Sequence, residues 1–432
     1  MGTFDPEWGG IEPARSRAWP QFALMTAALA AAMPLRAAET AILSSPAPAA
    51  TAELAYSIGI DGTRIVLGAP GESALAGAVY AFDCATLPCA SPQRLVSADS
   101  ASGATLGTAV SISGDTLVAT APGPEPGAAY VFIRGGSGWT QQAKLTASAS
   151  ASGEHFGAST SLSGDRVAIG ADHADGSEGA VYVFVRSGST WVQEARLSAS
   201  DGFLRDQLGV AVSLDADTLV AGAPLKRIGG ASNYANGAAY VFVRDGGGWT
   251  QQAKLTVTGA NADLFGFSVA VAADRAVVGA PYAGQSQGAA YVFARSGTTW
   301  SQQGRLSGAD GAVGDEFGWS VAIGGDNVVV GAPFKGQEAE LACGGVYVFD
   351  ATTLQQTNRG DVAAPGRDEL NGWSVAASGH RFASSAPGHV IASNDHAGIA
   401  YWFDLTDSIF ASMFELATAC PPDDGGGGGD ES

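Results

Sequence analysis

Apolar and polar positions along this chain alternate in short bursts, and each burst ends on the same word. Runs of four to six apolar, often β-branched residues, such as Val328-Val329-Val330, close on the tripeptide Gly-Ala-Pro. The tripeptide starts at Gly68, Thr120, Gly170, Gly222, Gly279, Gly331 and Ser385, with Asp172 replacing Pro in the third copy. About fourteen residues before each copy stands a large apolar residue followed by a small one: Leu54-Ala55, Leu106-Gly107, Phe156-Gly157, Leu208-Gly209, Phe265-Gly266 and Phe317-Gly318. The seventh, Leu370-Asn371-Gly372, is padded by one residue. After each tripeptide comes Tyr-x-Phe: Tyr80/Phe82, Tyr130/Phe132, Tyr182/Phe184, Tyr240/Phe242, Tyr291/Phe293, Tyr347/Phe349 and Tyr401/Phe403. Inside the repeats no stretch of ten residues carries a 3.6-residue apolar period, so the pattern predicts strands rather than helices.

Each unit reads as four strands. The first is predicted to start at the large-small pair, as in Phe265 to Val271, and to end in a tight turn such as Ser113-Gly114-Asp115. The second ends at Gly-Ala-Pro, because Pro cannot donate a ladder hydrogen bond. The third carries Tyr-x-Phe, whose rings share one face by two-residue alternation. The fourth runs from Trp139, Trp191, Trp249 or Trp300 to Leu145, Leu197, Leu255 or Leu306. A repeat of roughly 50 residues built from four short strands is the size of a propeller blade. Radial sheets crowd at an axis and diverge outward, which accounts for small residues on the first strand and aromatic rings farther along. The expected fold is all-β: a seven-bladed β-propeller of four-stranded antiparallel blades, with repeats starting near 54, 106, 156, 208, 265, 317 and 370.

Two segments compete to close the ring. Leu43 precedes Leu54 by the spacing that separates Leu145 from Phe156, while Phe410 and Leu416 reproduce the spacing of the Trp-to-Leu strand. The C-terminal segment is longer, and the expectation leans towards it.

The order Phe-Gly, Gly-Ala-Pro, then Tyr-x-Phe resembles the FG-GAP repeat, known from the propeller of integrin α subunits and from bacterial exported proteins. The resemblance spans roughly residues 54–404. It implies a seven-bladed propeller, usually extracellular, that serves adhesion or ligand binding. Several integrin repeats carry a calcium loop of the form Asp-x-Asp-x-Asp-Gly between their first two strands. Here the equivalent turns, such as Asp61-Gly62-Thr63, are too short to offer the six to eight oxygens that calcium takes. The resemblance therefore does not carry calcium over, and no cofactor is expected.

The N-terminal segment and the cysteines lead to the expectation of an exported protein. Residues 1–38 read as a signal peptide: Arg15 and Arg17 precede the apolar run 22–35, and cleavage is expected near Ala37 or Ala38. The propeller is assigned to 39–418, and 419–432, with five consecutive glycines between acids, to a disordered tail. Four cysteines suit an oxidising compartment; Cys84 and Cys89 share one loop, which leaves Cys343 and Cys420 as the second pair by elimination. A net charge of −20 repels phosphate backbones and anionic headgroups, which argues against nucleic acid and membrane as partners.

Candidate chemistry is sparse. The link Asp310 to Glu316 is the most acidic between blades, and Asp310, Asp315 and Glu316 are the weak metal candidates; Asp201 with Asp206 and Asp368 with Glu369 are smaller versions. The five histidines occupy different places in their repeats, and no His/Cys spacing points to zinc. No nucleophile motif and no catalytic residue emerges. Trp139, Trp191, Trp249 and Trp300 recur at one blade position and read as packing. Trp319 and Trp373 follow the Phe-Gly position of the last two blades and are the ligand-contact candidates. The expectation is a secreted, periplasmic or cell-surface monomer that binds an extracellular protein or glycan without catalysis. An exported polysaccharide hydrolase or lyase, and a structural surface component, are the alternatives.

Overall fold

Short alternating strands with small residues at their start fold each repeat into one antiparallel sheet whose strands lie in chain order. The computed structural model describes residues 35–38, 40–99, 101–123, 126–148, 153–228, 236–258, 263–336, 342–361, 369–391, 394 and 396–406. These form seven sheets. Blade 4 is typical, with Val212–Asp215, Thr218–Ala223, Ala238–Asp245 and Gly248–Leu255 from inside to outside. The inner strands of consecutive blades pack side by side, and that of blade 7 (Val375–Ser378) packs on that of blade 1 (Ile58–Asp61), so the ring closes. The seven-bladed propeller expected from the repeat is the fold. Among the described residues no helix is long and apolar enough to cross a membrane.

The core is divided into seven layers, each between two neighbouring blades. One layer joins Val66, Val79 and Leu95 of blade 1 to Leu117, Tyr130 and Phe132 of blade 2. The gradient of side-chain size holds: Tyr and Phe rings from the third strands fill the layers, while the turn leading into each first strand carries glycine or alanine at the hub.

Backbone contact explains the repeated glycines. A Cβ on Gly68, Gly170, Gly222, Gly279 or Gly331 would collide with the carbonyl oxygen of the small residue that opens the next blade, respectively Gly107, Gly209, Gly266, Gly318 and Gly372. Serine reinforces the contact. Ser57 Oγ donates to the Gly107 carbonyl at 2.8 Å, and Ser159, Ser268 and Ser320 repeat that bond to Gly209, Gly318 and Gly372 at 2.7, 2.8 and 2.8 Å. The second blade has Thr120 in place of the glycine, and its hydroxyl accepts the Ala109 N–H at 3.0 Å instead.

The large-small pair is not where most first strands begin. Leu106, Leu208, Phe265 and Phe317 each form a parallel bridge to the glycine that precedes the third strand of the blade before. The inner strand starts a few residues later, as at Val110, Val212, Ser268 and Ser320. Only blade 3 starts at the pair itself, with Phe156–Ser163. The pair is thus an inter-blade clip, and its large residue plugs the layer below.

Ring closure also departs from expectation. Ala41–Leu43 pairs antiparallel with the third strand of blade 7 (Ile399–Asp404), so the N-terminal segment supplies the outer strand. The physical reason is Leu43, which is buried in the layer that joins blade 7 to blade 1, against Leu54 and Trp402. Phe410 and Leu416 lie outside the described residues, as do the 419–432 tail and the signal segment up to residue 34. Leu35–Ala38 runs parallel to the outer strand of blade 6 (Gln356–Asp361), and cleavage at Ala37 or Ala38 would remove that addition but spare the closing strand. The Cys84–Cys89 bridge is present with a Cα separation of 4.2 Å. Cys343 is also disulfide-bonded, while Cys420 lies outside the described residues.

Two substitutions test these contacts by urea denaturation. Leu43→Ala should destabilise the protein by about 2–5 kcal/mol through loss of the closing plug. Gly222→Ala should cost about 1–3 kcal/mol, because backbone rather than a flexible side chain stands in the way. Unchanged midpoints would exclude both roles.

Candidate functional site

Seven similar turns crowd around the axis at one end of the ring, and what distinguishes them is the residue after the small one. In blades 2, 3 and 4 that position holds Thr108, Ala158 and Val210; in blades 5, 6, 7 and 1 it holds Phe267, Trp319, Trp373 and Tyr56. The four rings touch in sequence. Phe267 and Trp319 lie 4.7 Å apart between centroids, Trp319 and Trp373 4.9 Å, and Trp373 and Tyr56 5.7 Å. Phe334, beside the Gly-Ala-Pro of blade 6, packs edge-on against Trp319 at 5.3 Å. All five rings are half-buried. The structure therefore joins the two ligand candidates, Trp319 and Trp373, into an aromatic arc over four blades. Tyr56, Phe267 and Phe334 were missed, although aligning the repeats on Phe-Gly puts three of the four arc positions in one column.

Glu316 opens the turn whose fourth residue is Trp319, and the Trp319 N–H donates to its carbonyl at 3.1 Å. Its backbone is left-handed, with φ of 54°, as it is for Glu53, Thr105, His155, Gln207, Leu264 and Leu370 at the same place. This conformation is a property of the architecture rather than of one site, because all seven turns share it. The carboxyl is distinctive. Glu316 Oε2 is buried and accepts no hydrogen bond, and burial pushes the group up to about 7. Tyr282, exposed on the neighbouring loop, is raised by burial and further by the charge of Glu316.

The other acids of the inter-blade links are already paired. Asp310 accepts from the Tyr347 hydroxyl at 2.7 Å and lies 3.3 Å from Lys335 and 2.5 Å from Arg359. Asp315 accepts from the Ala312 N–H at 2.8 Å and meets Lys335 at 3.3 Å. The two metal candidates Asp310 and Asp315 thus share an ammonium group, and Glu316 stands apart from them. Blade 4 repeats the arrangement: Asp206 pairs with Lys226 at 2.8 Å, and Asp201 with Lys254 and the Tyr240 hydroxyl, each at 2.7 Å. In blade 7 the buried Glu369 takes His389 at 2.7 Å and Tyr401 at 3.0 Å; Asp368 lies outside the described residues. A free negative rim is therefore not what these links build. Their carboxylates tie the Tyr of Tyr-x-Phe to cations of the same end.

At blade 3 the pattern breaks. Asp172, in the place of the tripeptide's Pro, lies 2.7 Å from His155 Nδ1 and 4.0 Å from His173 Nε2. The two imidazoles stack at 5.1 Å with planes 26° apart. Sequence spacing hid this cluster, because His155 belongs to the opening turn and His173 to the loop after the second strand. The visible signal was the one Gly-Ala-Asp among six copies with Pro.

The outer tryptophans are structural. The outer strands of blades 2 to 6 each carry a bulge, and in blades 2, 3 and 4 its extra residue (Gln142, Glu194 or Gln252) accepts from the indole N–H of the next blade's Trp191, Trp249 or Trp300, at 3.0, 3.0 and 2.9 Å.

A family model described as FG-GAP repeat matches residues 91–132, 139–184, 191–242, 249–293 and 300–349. No curated protein matches the chain. Among solved structures, the crystal structure of the Saccharomyces cerevisiae Sqt1 is similar over 86% of this chain and 99% of its own, at 11% identity and a TM-score of 0.43.

Glu316 makes a pH prediction. Its carboxyl ionises near 4.5 when unfolded and near 7 when folded. A raised value means that stability is fullest below the unfolded value and declines as pH rises through the folded one. Glu316→Gln should therefore raise the melting temperature at about pH 8 and leave it unchanged at about pH 4, read by thermal scans. Equal shifts at both would refute the assignment.

Proposed function

The chain belongs to the FG-GAP repeat family, and on that premise we propose that it is an exported propeller that binds extracellular glycan through the aromatic arc. The observation that carries this reading is the run of touching, half-exposed rings at Tyr56, Trp373, Trp319 and Phe267. An aromatic face is flat, apolar and electron-rich, which suits the C–H face of a pyranose ring. Carboxylates and backbone carbonyls nearby suit its hydroxyl rim. Confinement to four consecutive blades supports binding, since a purely architectural requirement would recur in all seven. Export is supported by the signal-like residues 1–38 and by the Cys84–Cys89 bridge, which an oxidising compartment sustains. No catalytic role is assigned, no cofactor is invoked, and the protein acts as a monomer. A protein ligand is the other occupant such a surface would take.

One observation favours the hydrolase alternative. A carboxyl held near 7 beside an aromatic platform has the protonation that a general acid needs. Glycoside cleavage requires a pair of such groups, and Glu316 is one.

Binding is tested on a glycan array, followed by titration calorimetry with the best ligand. Trp319→Ala and Trp373→Ala should each weaken affinity by about tenfold or more. Trp249→Ala, on an outer strand, should lower stability but leave affinity intact. Full affinity in both arc variants would exclude the arc. Release of reducing ends by the wild type, abolished in Glu316→Gln, would establish the hydrolase reading instead.

A further inference from the structure

Beyond that reading, we propose that His155, Asp172 and His173 form a binding site for a borderline-soft divalent cation of the zinc class. One ligand atom from each residue lies within 4.8 Å of the others. Bonds from zinc to imidazole nitrogen and carboxylate oxygen run about 2.0–2.2 Å, so the ligands must close to roughly 3–3.5 Å from one another. The side chains of His155 and His173 are 40% and 44% exposed, so a cation from solvent reaches both imidazoles. Two imidazoles and one carboxylate are donors for zinc and its neighbours, whereas calcium takes oxygens.

Charge distinguishes this cluster from the acidic links. Asp172 has a side chain only 10% exposed, and among the described residues the basic side chains that face it are the two imidazoles. The buried acids Asp206 and Asp315 of blades 4 and 6 are each held by a lysine, Lys226 or Lys335, two residues beyond the tripeptide. Blade 3 has Ala174 at that position, which supplies no ammonium group. A buried carboxylate without a lysine or arginine is costly unless a cation replaces it.

The scaffold holds the ligands in advance. His155 occupies the left-handed turn position, with φ of 57°, and its carbonyl accepts from Ala158 N–H at 3.2 Å. The His173 N–H donates to the Glu154 carbonyl at 3.3 Å, which ties the two ligand-bearing segments together. Three protein ligands leave at least one coordination position for water or an incoming donor, as in open zinc sites. The site sits on the same end of the ring as the aromatic arc, in a blade whose residue at the arc position is Ala158.

The test is titration calorimetry of the untagged full chain with ZnCl2, and with CaCl2 as the contrasting cation. Wild-type protein should bind about one zinc ion and no calcium at this site. Asp172→Pro restores the residue found in the other six repeats, so the fold should tolerate it; His173→Ala is the second variant. Each should weaken zinc binding by at least about tenfold with melting curves in metal-free buffer unchanged. Cobalt substitution should give visible absorption bands that both variants lose. Absence of zinc binding by the wild type, or wild-type affinity in a variant that melts normally, would overturn the proposal.

Discussion

Close approach of backbone to backbone at the hub is the constraint on which everything else in this ring depends. Where Gly222 meets the Gly266 carbonyl, no side-chain atom fits between blades. In five of the seven blades that position stays empty, in blades 2 and 7 the hydroxyl of Thr120 or Ser385 takes it, and the serine bonds, such as Ser268 to Gly318, lock the spacing. The tripeptide and the large-small pair are two halves of one contact. Their fourteen-residue offset is the length of an inner strand, its turn and the second strand.

That constraint also decides where function has freedom. Inside the layers every position is committed to filling a gap that widens outward, so Tyr-x-Phe and the outer tryptophans are held by packing and by carboxylate or amide partners. Variation is tolerated at the residue just past the hub contact and in the loop after the tripeptide. The first place carries the arc in blades 5, 6, 7 and 1, and the second carries Phe334 in blade 6 and His173 of the His-Asp-His cluster in blade 3. Phe334 and His173 occupy the same loop position in different blades, one apolar and one metal-ligating in type.

The net charge of −20 is a poor guide to this end of the molecule. Acids there are largely neutralised by lysine, arginine or histidine and by tyrosine hydroxyls, as at Asp310 and Asp201. Glu316 and Asp172 differ from these lysine- and arginine-paired acids. Glu316 responds by favouring its protonated form, and Asp172 by facing imidazoles. Asp172 replaces the tripeptide's Pro and Glu316 stands three residues before Trp319 of the arc, and such blade-specific residues are where an architecture of near-identical units can host chemistry of its own.

The chain alone determined the number of blades, their strand order and the gradient of side-chain size, because these follow from a period, a set of breakers and steric crowding at an axis. It also singled out Trp319 and Trp373, since two aromatics at a normally varied position stand out on alignment of the repeats. Closure by Ala41–Leu43 was decided only by the folded ring, where Leu43 fits the last layer. The meeting of His155 with His173, the extension of the arc to Tyr56 and the pairing of Asp310 with Lys335 were likewise settled in three dimensions. Each joins segments that a circular arrangement brings together, and linear spacing carries no record of which turns face one another across a hub.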